Sequence, residues 1–212
     1  MAATAAQQPG RADSPTRPAD PTDGVPARLL DAATRLFAER GFESTSVQQI
    51  VAAAGVTKGA MYHYFGSKDD LLYEIYARVL RMQTDRLERV AHTDMPVAVR
   101  VHTAAVDVVV TSVDNLDDTV IFFRSMHMLR PEKQAEIRAE RRRYHERFRG
   151  MVEEGQRADV FRTDVPADLV VDYFFGSVHH LGTWFRADGP LGGGEIGRHF
   201  ADMLIAGLRT PG

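Results

Sequence analysis

Apolar side chains recur along most of this chain at intervals of three and four residues, the period of amphipathic helices. Leu29, Leu30, Ala33, Leu36 and Phe37 fall on one face of a first helix. Pro26 suits its first turn and Gly41 suits a left-handed cap at its end. Ser44, Thr45 and Ser46 are candidate caps for a second, short helix that buries Val47, Ile50 and Val51 and ends at Gly55. Thr57 can cap a third, from Lys58 to about Tyr64, with Met61 and Phe65 turned inward. Two short helices joined through a glycine turn form a helix-turn-helix unit. A longer helix opens near Ser67, with Leu71, Leu72, Ile75, Val79, Leu80 and Leu87 buried and Asp69 and Asp70 in its first turn, where the helix dipole favours anions.

Beyond His92 the pattern resumes. A helix is predicted over Val97–Val113 and a loop over Asn115–Asp118. Thr119–Leu129 is apolar on nearly every side and predicts a fully buried helix. Pro131 opens a long helix to about Ala158, whose outward face carries Arg138, Arg141, Arg142, Arg143, Arg147 and Arg149. Ala167–Arg186 predicts one aromatic-rich helix, Ala187–Gly194 a loop and Glu195–Leu208 a last helix. The fold class is therefore all-α. Residues 1–24 predict a disordered arm, 25–72 the helix-turn-helix domain and 73–212 a larger helical domain.

Composition narrows the chemistry. The 212 residues, 44% of them hydrophobic, are ample for a packed core. Cysteine is absent, which excludes a disulfide framework, a thiolate nucleophile and a cysteine zinc site. No stretch nears the ~20 apolar residues that cross a bilayer, and the first residues lack the apolar centre of a signal peptide. The expectation is a cytoplasmic protein with no membrane partner. Net charge is −3, and the helix-turn-helix region is close to neutral, so charge alone does not point to nucleic acid.

Placement of individual groups does. With Met61 and Phe65 buried, the third helix exposes Lys58, Gly59, Ala60, Tyr62, His63 and Tyr64. These combine hydrogen-bonding groups with little bulk, a face able to approach a groove and reach phosphates or base edges. The competing reading is a solvated polar helix with Tyr62 and Tyr64 half-buried for packing. Arg11 and Arg17 of the arm either reach a minor groove or belong to a solvated tail.

The run from Leu30 through Gly41, Thr45, Ile50, Gly55, Gly59, Tyr62, Tyr64 and Lys68 to Leu71 resembles the tetracycline-repressor family of bacterial transcription regulators. The resemblance implies a three-helix reader of DNA followed by an all-α domain that dimerises through its last two helices and binds a small effector. Carried over by position, Thr57, Lys58, Gly59 and Ala60 would open the recognition helix against the operator. Tyr62 and Tyr64 would contact its backbone and His63 a base edge. Lys68 would hold a phosphate with its helix's N-terminal amides, and Ser46 and Gln48 would contact DNA from the second helix.

Phe174 through Leu191 resembles the C-terminal part of a subgroup that senses acyl-CoA thioesters. Candidate effector-pocket residues are Phe122, Phe123, Met126 and Tyr144, with Phe148, Phe174, His179 and Trp184.

Rival classes are weaker. No His pair carries the spacing of a zinc hydrolase, and neither a nucleophile elbow nor a dinucleotide fingerprint occurs, so no metal, no cofactor and no catalytic residue is expected. A reader of the same fold that acts as an activator or answers to no ligand remains open. The arginine run has two readings also: a solvated face balanced by Glu136, Glu140 and Glu146 at helical spacing, or a mouth for an anionic ligand.

Overall fold

The computed structural model describes residues 24–209; the expected arm, apart from Gly24, lies outside them. The described residues are helical throughout, with α1 (Val25–Arg40), α2 (Val47–Ala54), α3 (Lys58–Tyr64), α4 (Lys68–Ala91) and α5 (Val97–Asp114) followed by α6 (Leu116–Ser125), α7 (Pro131–Arg157), α8 (Ala167–His179), α9 (Leu181–Trp184) and α10 (Gly193–Leu208).

Local chemistry sets the first four helices. Ser46 and Gln49 form a reciprocal capping box at α2, and Gly55 closes that helix in the left-handed conformation with φ 62°. Thr57 Oγ1 accepts from the Ala60 amide at 3.1 Å, and Ser67 Oγ accepts from the Asp70 amide at 3.2 Å. Thr45 is buried, and its hydroxyl hydrogen-bonds to the carbonyl oxygens of Gly41 at 2.8 Å and Leu36 at 3.2 Å, fixing the α1–α2 corner. Leu29, Ile50, Met61 and Leu71 are fully buried between these elements.

The expected boundary at residue 72 falls inside α4, which crosses it unbroken. Of the remaining helices α5, α6 and α7 pack on α4, while α8 lies against α7, α9 against α6 and α10 against α5, the most extensive pairing. Gly197 permits this: a Cβ there would lie 3.1 Å from the Val106 carbonyl oxygen.

Two expectations change. The segment expected as a fully buried helix begins three residues earlier, at Leu116, ends at Ser125 in a 3-10 turn, and leaves Phe123 40% exposed. The single helix expected over Ala167–Arg186 breaks at His180, and the short α9 turns inward. There α9 lies close against α6: a Cβ on Gly182 would lie 2.7 Å from Val120 Cγ2.

One contact between the two halves is built on a buried carboxylate, alongside the Asp70–Lys133 and Asp31–Arg78 ion pairs. Asp118 of α6 accepts from Thr34 Oγ1 of α1 at 3.1 Å and pairs with Arg78 of α4 at 3.2 Å. Burial pushes its pKa up, and the Arg78 charge opposes that shift.

Candidate nucleic-acid interface and inner cleft

The turn and caps around α3 hold Met61 inward at zero exposure and Phe65 against the same core. The opposite face of this short helix therefore stands in solvent. Tyr62 is 48% and Tyr64 50% exposed, so each leaves about half of its surface free for a contact. Lys58 Nζ sits 5.8 Å from the Tyr62 ring centre, and the His63 ring meets Tyr64 edge-to-face at 4.9 Å. Lys58 and Gly59 are exposed, Ala60 partly so. Such a face pairs a cation and two phenols with an imidazole at low steric cost, which suits phosphate and base-edge contacts. The same half-burial also fits the reading in which the two tyrosines pack in part against the domain.

On α2, Gln48 is exposed, whereas the Ser46 hydroxyl is engaged with Gln49 in the cap. Lys68 departs from the expectation. Its ammonium donates to the carbonyl oxygens of Phe42 at 2.7 Å and Thr45 at 2.9 Å, and lies 4.3 Å from the Phe42 ring centre. It ties the first residue of α4 to the α1–α2 corner rather than facing outward for a phosphate. Burial lowers its pKa.

The second candidate site is a narrow cleft at the centre of the larger half. Tyr76 and Gln83 of α4, Ser112 of α5 and Thr119 and Phe123 of α6 line it. Arg141, Tyr144 and His145 of α7 and Phe175 and His179 of α8 close it. Its volume is about 30 Å³, space for one or two water molecules.

Of the eight residues expected there, Phe123, Tyr144 and His179 line the cleft. The others do not. Phe122 has zero exposure and stacks on Tyr76 with ring centres 3.4 Å apart, so it is core. Phe148 and Phe174 stack on one another at 5.3 Å, also in the core. Met126 sits in the 3-10 turn packed against the core, and Trp184 of α9 is 48% exposed.

Sequence reasoning missed Tyr76 and Gln83, and did not place Arg141 and His145 among the candidate pocket residues. The signal was a polar group interrupting an apolar stripe: Gln83 lies seven residues after Tyr76 on the buried side of α4, and His145 lies four after Arg141. Arg141, expected to face outward, instead turns in, with Nη2 3.3 Å from His179 Nε2 and its guanidinium 5.2 Å from the Phe123 ring centre. His145 stacks on Phe175 at 4.0 Å. Burial, reinforced by the Arg141 charge, pushes the pKa of His145 down to about 4 and that of His179 to about 3. Both imidazoles are neutral at pH 7. Among the described residues no group of three or more His, Cys, Asp or Glu could hold a metal ion, and no helix is long and apolar enough to cross a membrane.

Comparison with known proteins bears on both sites. Residues 29–75 match the profile of bacterial regulatory proteins of the tetR family, and residues 94–208 match the tetracyclin repressor-like C-terminal domain. The chain is 26% identical over 199 residues to the HTH-type transcriptional repressor KstR2 of Rhodococcus jostii, spanning 92% of this chain and 97% of that protein. The TetR family regulator PfmR of Thermus thermophilus superposes with a TM-score of 0.79 at 30% identity, over 86% of this chain and all of PfmR, or 100%. AibR in complex with isovaleryl coenzyme A and operator DNA has a TM-score of 0.73 at 24% identity, covering 89% of this chain and 100% of AibR; at that identity the likeness is one of fold.

Proposed function

The chain belongs to the tetR family of bacterial regulatory proteins, and from that premise we propose a repressor that binds a palindromic operator as a homodimer and is released by a small effector. It is a DNA-binding transcription regulator, not an enzyme. In this reading residues 25–72 read DNA and residues 73–212 dimerise and sense the effector, with α4 crossing between them.

The observation that carries the reading is the outward face of α3. Two half-exposed tyrosines, a histidine and a lysine stand on a helix whose other side is wholly buried. Lys58, Gly59 and Ala60 open that helix against a major groove, Tyr62 and Tyr64 contact phosphates, and His63 reaches a base edge; Gln48 assists from α2. Pairing comes from α8 and α10, whose Leu169, Tyr173 and Met203 are exposed, Tyr173 to 71%. Burying such a face in a second copy sets two recognition helices about 34–36 Å apart, one turn of DNA.

The effector enters the inner cleft. At about 30 Å³ the cleft admits water but no organic ligand, so the effector selects a state in which α6, α7 and α8 stand further apart. Release then follows from its preference for that state. Likeness in fold to AibR supports an acyl thioester as the effector class.

The test is fluorescence anisotropy on inverted repeats upstream of its own and adjacent genes, titrated with acyl-CoAs, fatty acids and planar cations. Release by one class, with a shifted melting temperature, supports the reading. Operator binding that no ligand alters leaves a regulator that answers to none. His63→Ala should change base preference at one position in each half-site; an equal loss on every sequence reassigns His63 to the backbone.

A further inference from the structure

Beside the inner cleft a second, larger cavity of about 350 Å³ opens to solvent between α7 and α8. That volume lies at the lower end of the ~300–1,000 Å³ range of small-molecule sites. Its α7 wall carries Arg138, Arg141, Arg142 and Arg149, and its α8 wall Asp168 and Asp172.

Most of these guanidinium groups are not neutralised. Arg149 is, by Asp168 at 2.9 Å and Glu153 at 3.2 Å. Arg138 hydrogen-bonds only to the neutral Gln134, at 2.7 Å. Arg141 leans on His179 and Phe123, both uncharged. Arg142 makes no ion pair among the described residues. Glu136, Glu140 and Glu146 were the candidates to balance this face, yet the pairing seen is Glu140 with Arg143 at 3.9 Å, outside the cavity. Three guanidiniums without a carboxylate thus line one concave surface. Their planar forks match the oxygens of a phosphate.

The cavity is not uniformly basic. Glu146, Asp168 and Asp172 share its lining, a mixture poor for a bare anion but suited to a group that brings hydroxyl and amide donors along with phosphates. A nucleotide thioester head is such a group. The cavity also abuts the inner cleft: Arg141 and His145 line both. Arg141 closes the partition by resting on His179 and Phe123. Turning its guanidinium toward a phosphate would uncover both and widen the way into the inner cleft.

We propose that the α7–α8 cavity binds the phosphate-bearing nucleotide head of an acyl thioester through Arg138, Arg141 and Arg142, and that Arg141 is the gate through which its acyl part reaches the inner cleft. The assignment rests on the effector-released reading above and names the ligand class of that site.

Isothermal titration of the full chain with coenzyme A, isovaleryl coenzyme A, isovalerate and inorganic pyrophosphate tests it. Coenzyme A should bind the wild type, more weakly as salt rises, and roughly tenfold more weakly in the Arg138→Ala/Arg142→Ala double variant. Circular dichroism melting controls for folding, and Arg143→Ala, which lies outside the cavity, should leave coenzyme A binding unchanged. Isovalerate should be indifferent to the double variant. Pyrophosphate binding as tightly as coenzyme A would mean a phosphate site without a nucleotide head and overturns the assignment. No binding of coenzyme A to the wild type, or equal binding to the double variant, overturns it too. Operator release, read separately by anisotropy, distinguishes the two levels. Coenzyme A held by the arginines with no thioester ever releasing the operator sinks the release reading and leaves the cavity assigned. Release by an uncharged ligand without coenzyme A binding does the reverse.

Discussion

The proposed reader and the proposed effector half place their candidate groups on opposite sides of their cores. On α3 the groups proposed to contact DNA stand in water, over a core that holds their helix. Around the inner cleft the corresponding groups are the core, or touch it: Tyr144 packs edge-to-face on Phe175, and Phe123 neighbours the fully buried Phe122 in sequence and in space. Function and stability should therefore separate in the reader and be entangled in the effector half.

The sharpest way to break that contrast is Phe122→Ala. The side chain has zero exposure and stacks on Tyr76, so its loss should cost about 3–5 kcal/mol in urea unfolding. A cost below ~1 kcal/mol would mean that the ring belongs to an adaptable pocket after all.

Lys68→Met comes next, and it probes a reader residue that behaves like a core one. Losing two hydrogen bonds from a charged donor should cost about 1.5–3 kcal/mol of stability. The salt dependence of operator binding should keep its slope. A slope reduced by about one unit would restore the phosphate contact.

Lys58→Ala with Tyr62→Phe should show the pure reader behaviour. Operator affinity should fall about tenfold, with a flatter salt dependence, while unfolding free energy stays within ~0.5 kcal/mol. A large loss of stability would place these side chains in the packing and erase the contrast.

The last test reads pH dependence. Burial holds the His145 pKa at about 4, against an ordinary 6.5. Between those values the unfolded chain holds a proton that the folded chain lacks, so stability rises with pH through that window and levels off above it. His145→Phe, which keeps an aromatic ring against Phe175, should give melting temperatures that vary less between pH 4 and 6.5. An unchanged slope would assign the acid sensitivity elsewhere, His179 first.

The same contrast explains what the sequence made legible. Caps and turn glycines act over three or four residues, so Ser46 among three candidate caps, Thr57 and Gly55, with a helix start near Ser67, announced the reader helices almost to the residue. In the effector half the deciding contacts are remote. Beyond the break at His180, Gly182 meets Val120, and Arg141 turns inward onto His179 and Phe123. Neighbouring Phe122 and Phe123 take opposite roles, a choice that apolar content leaves undetermined. Lys68 misled for the same reason: its partners are carbonyls at Phe42 and Thr45, and a carbonyl has no letter in a sequence.

That lysine also fixes what a moving α4 can deliver. With its ammonium bonded to the corner between α1 and α2, the start of α4 is tied to the reader, and a moving α4 would carry the reader with it. The 24 residues of α4 make a rod about 36 Å long at 1.5 Å per residue. A rotation of about 5° at the effector end sweeps the other end by about 3 Å, close to the ~3.4 Å rise of one base-pair step. An effector acting through such a rod changes the gauge between half-sites and leaves each half-site's lettering alone. An operator lengthened or shortened by one base pair in its spacer would then mimic, in the DNA, what the ligand does in the protein.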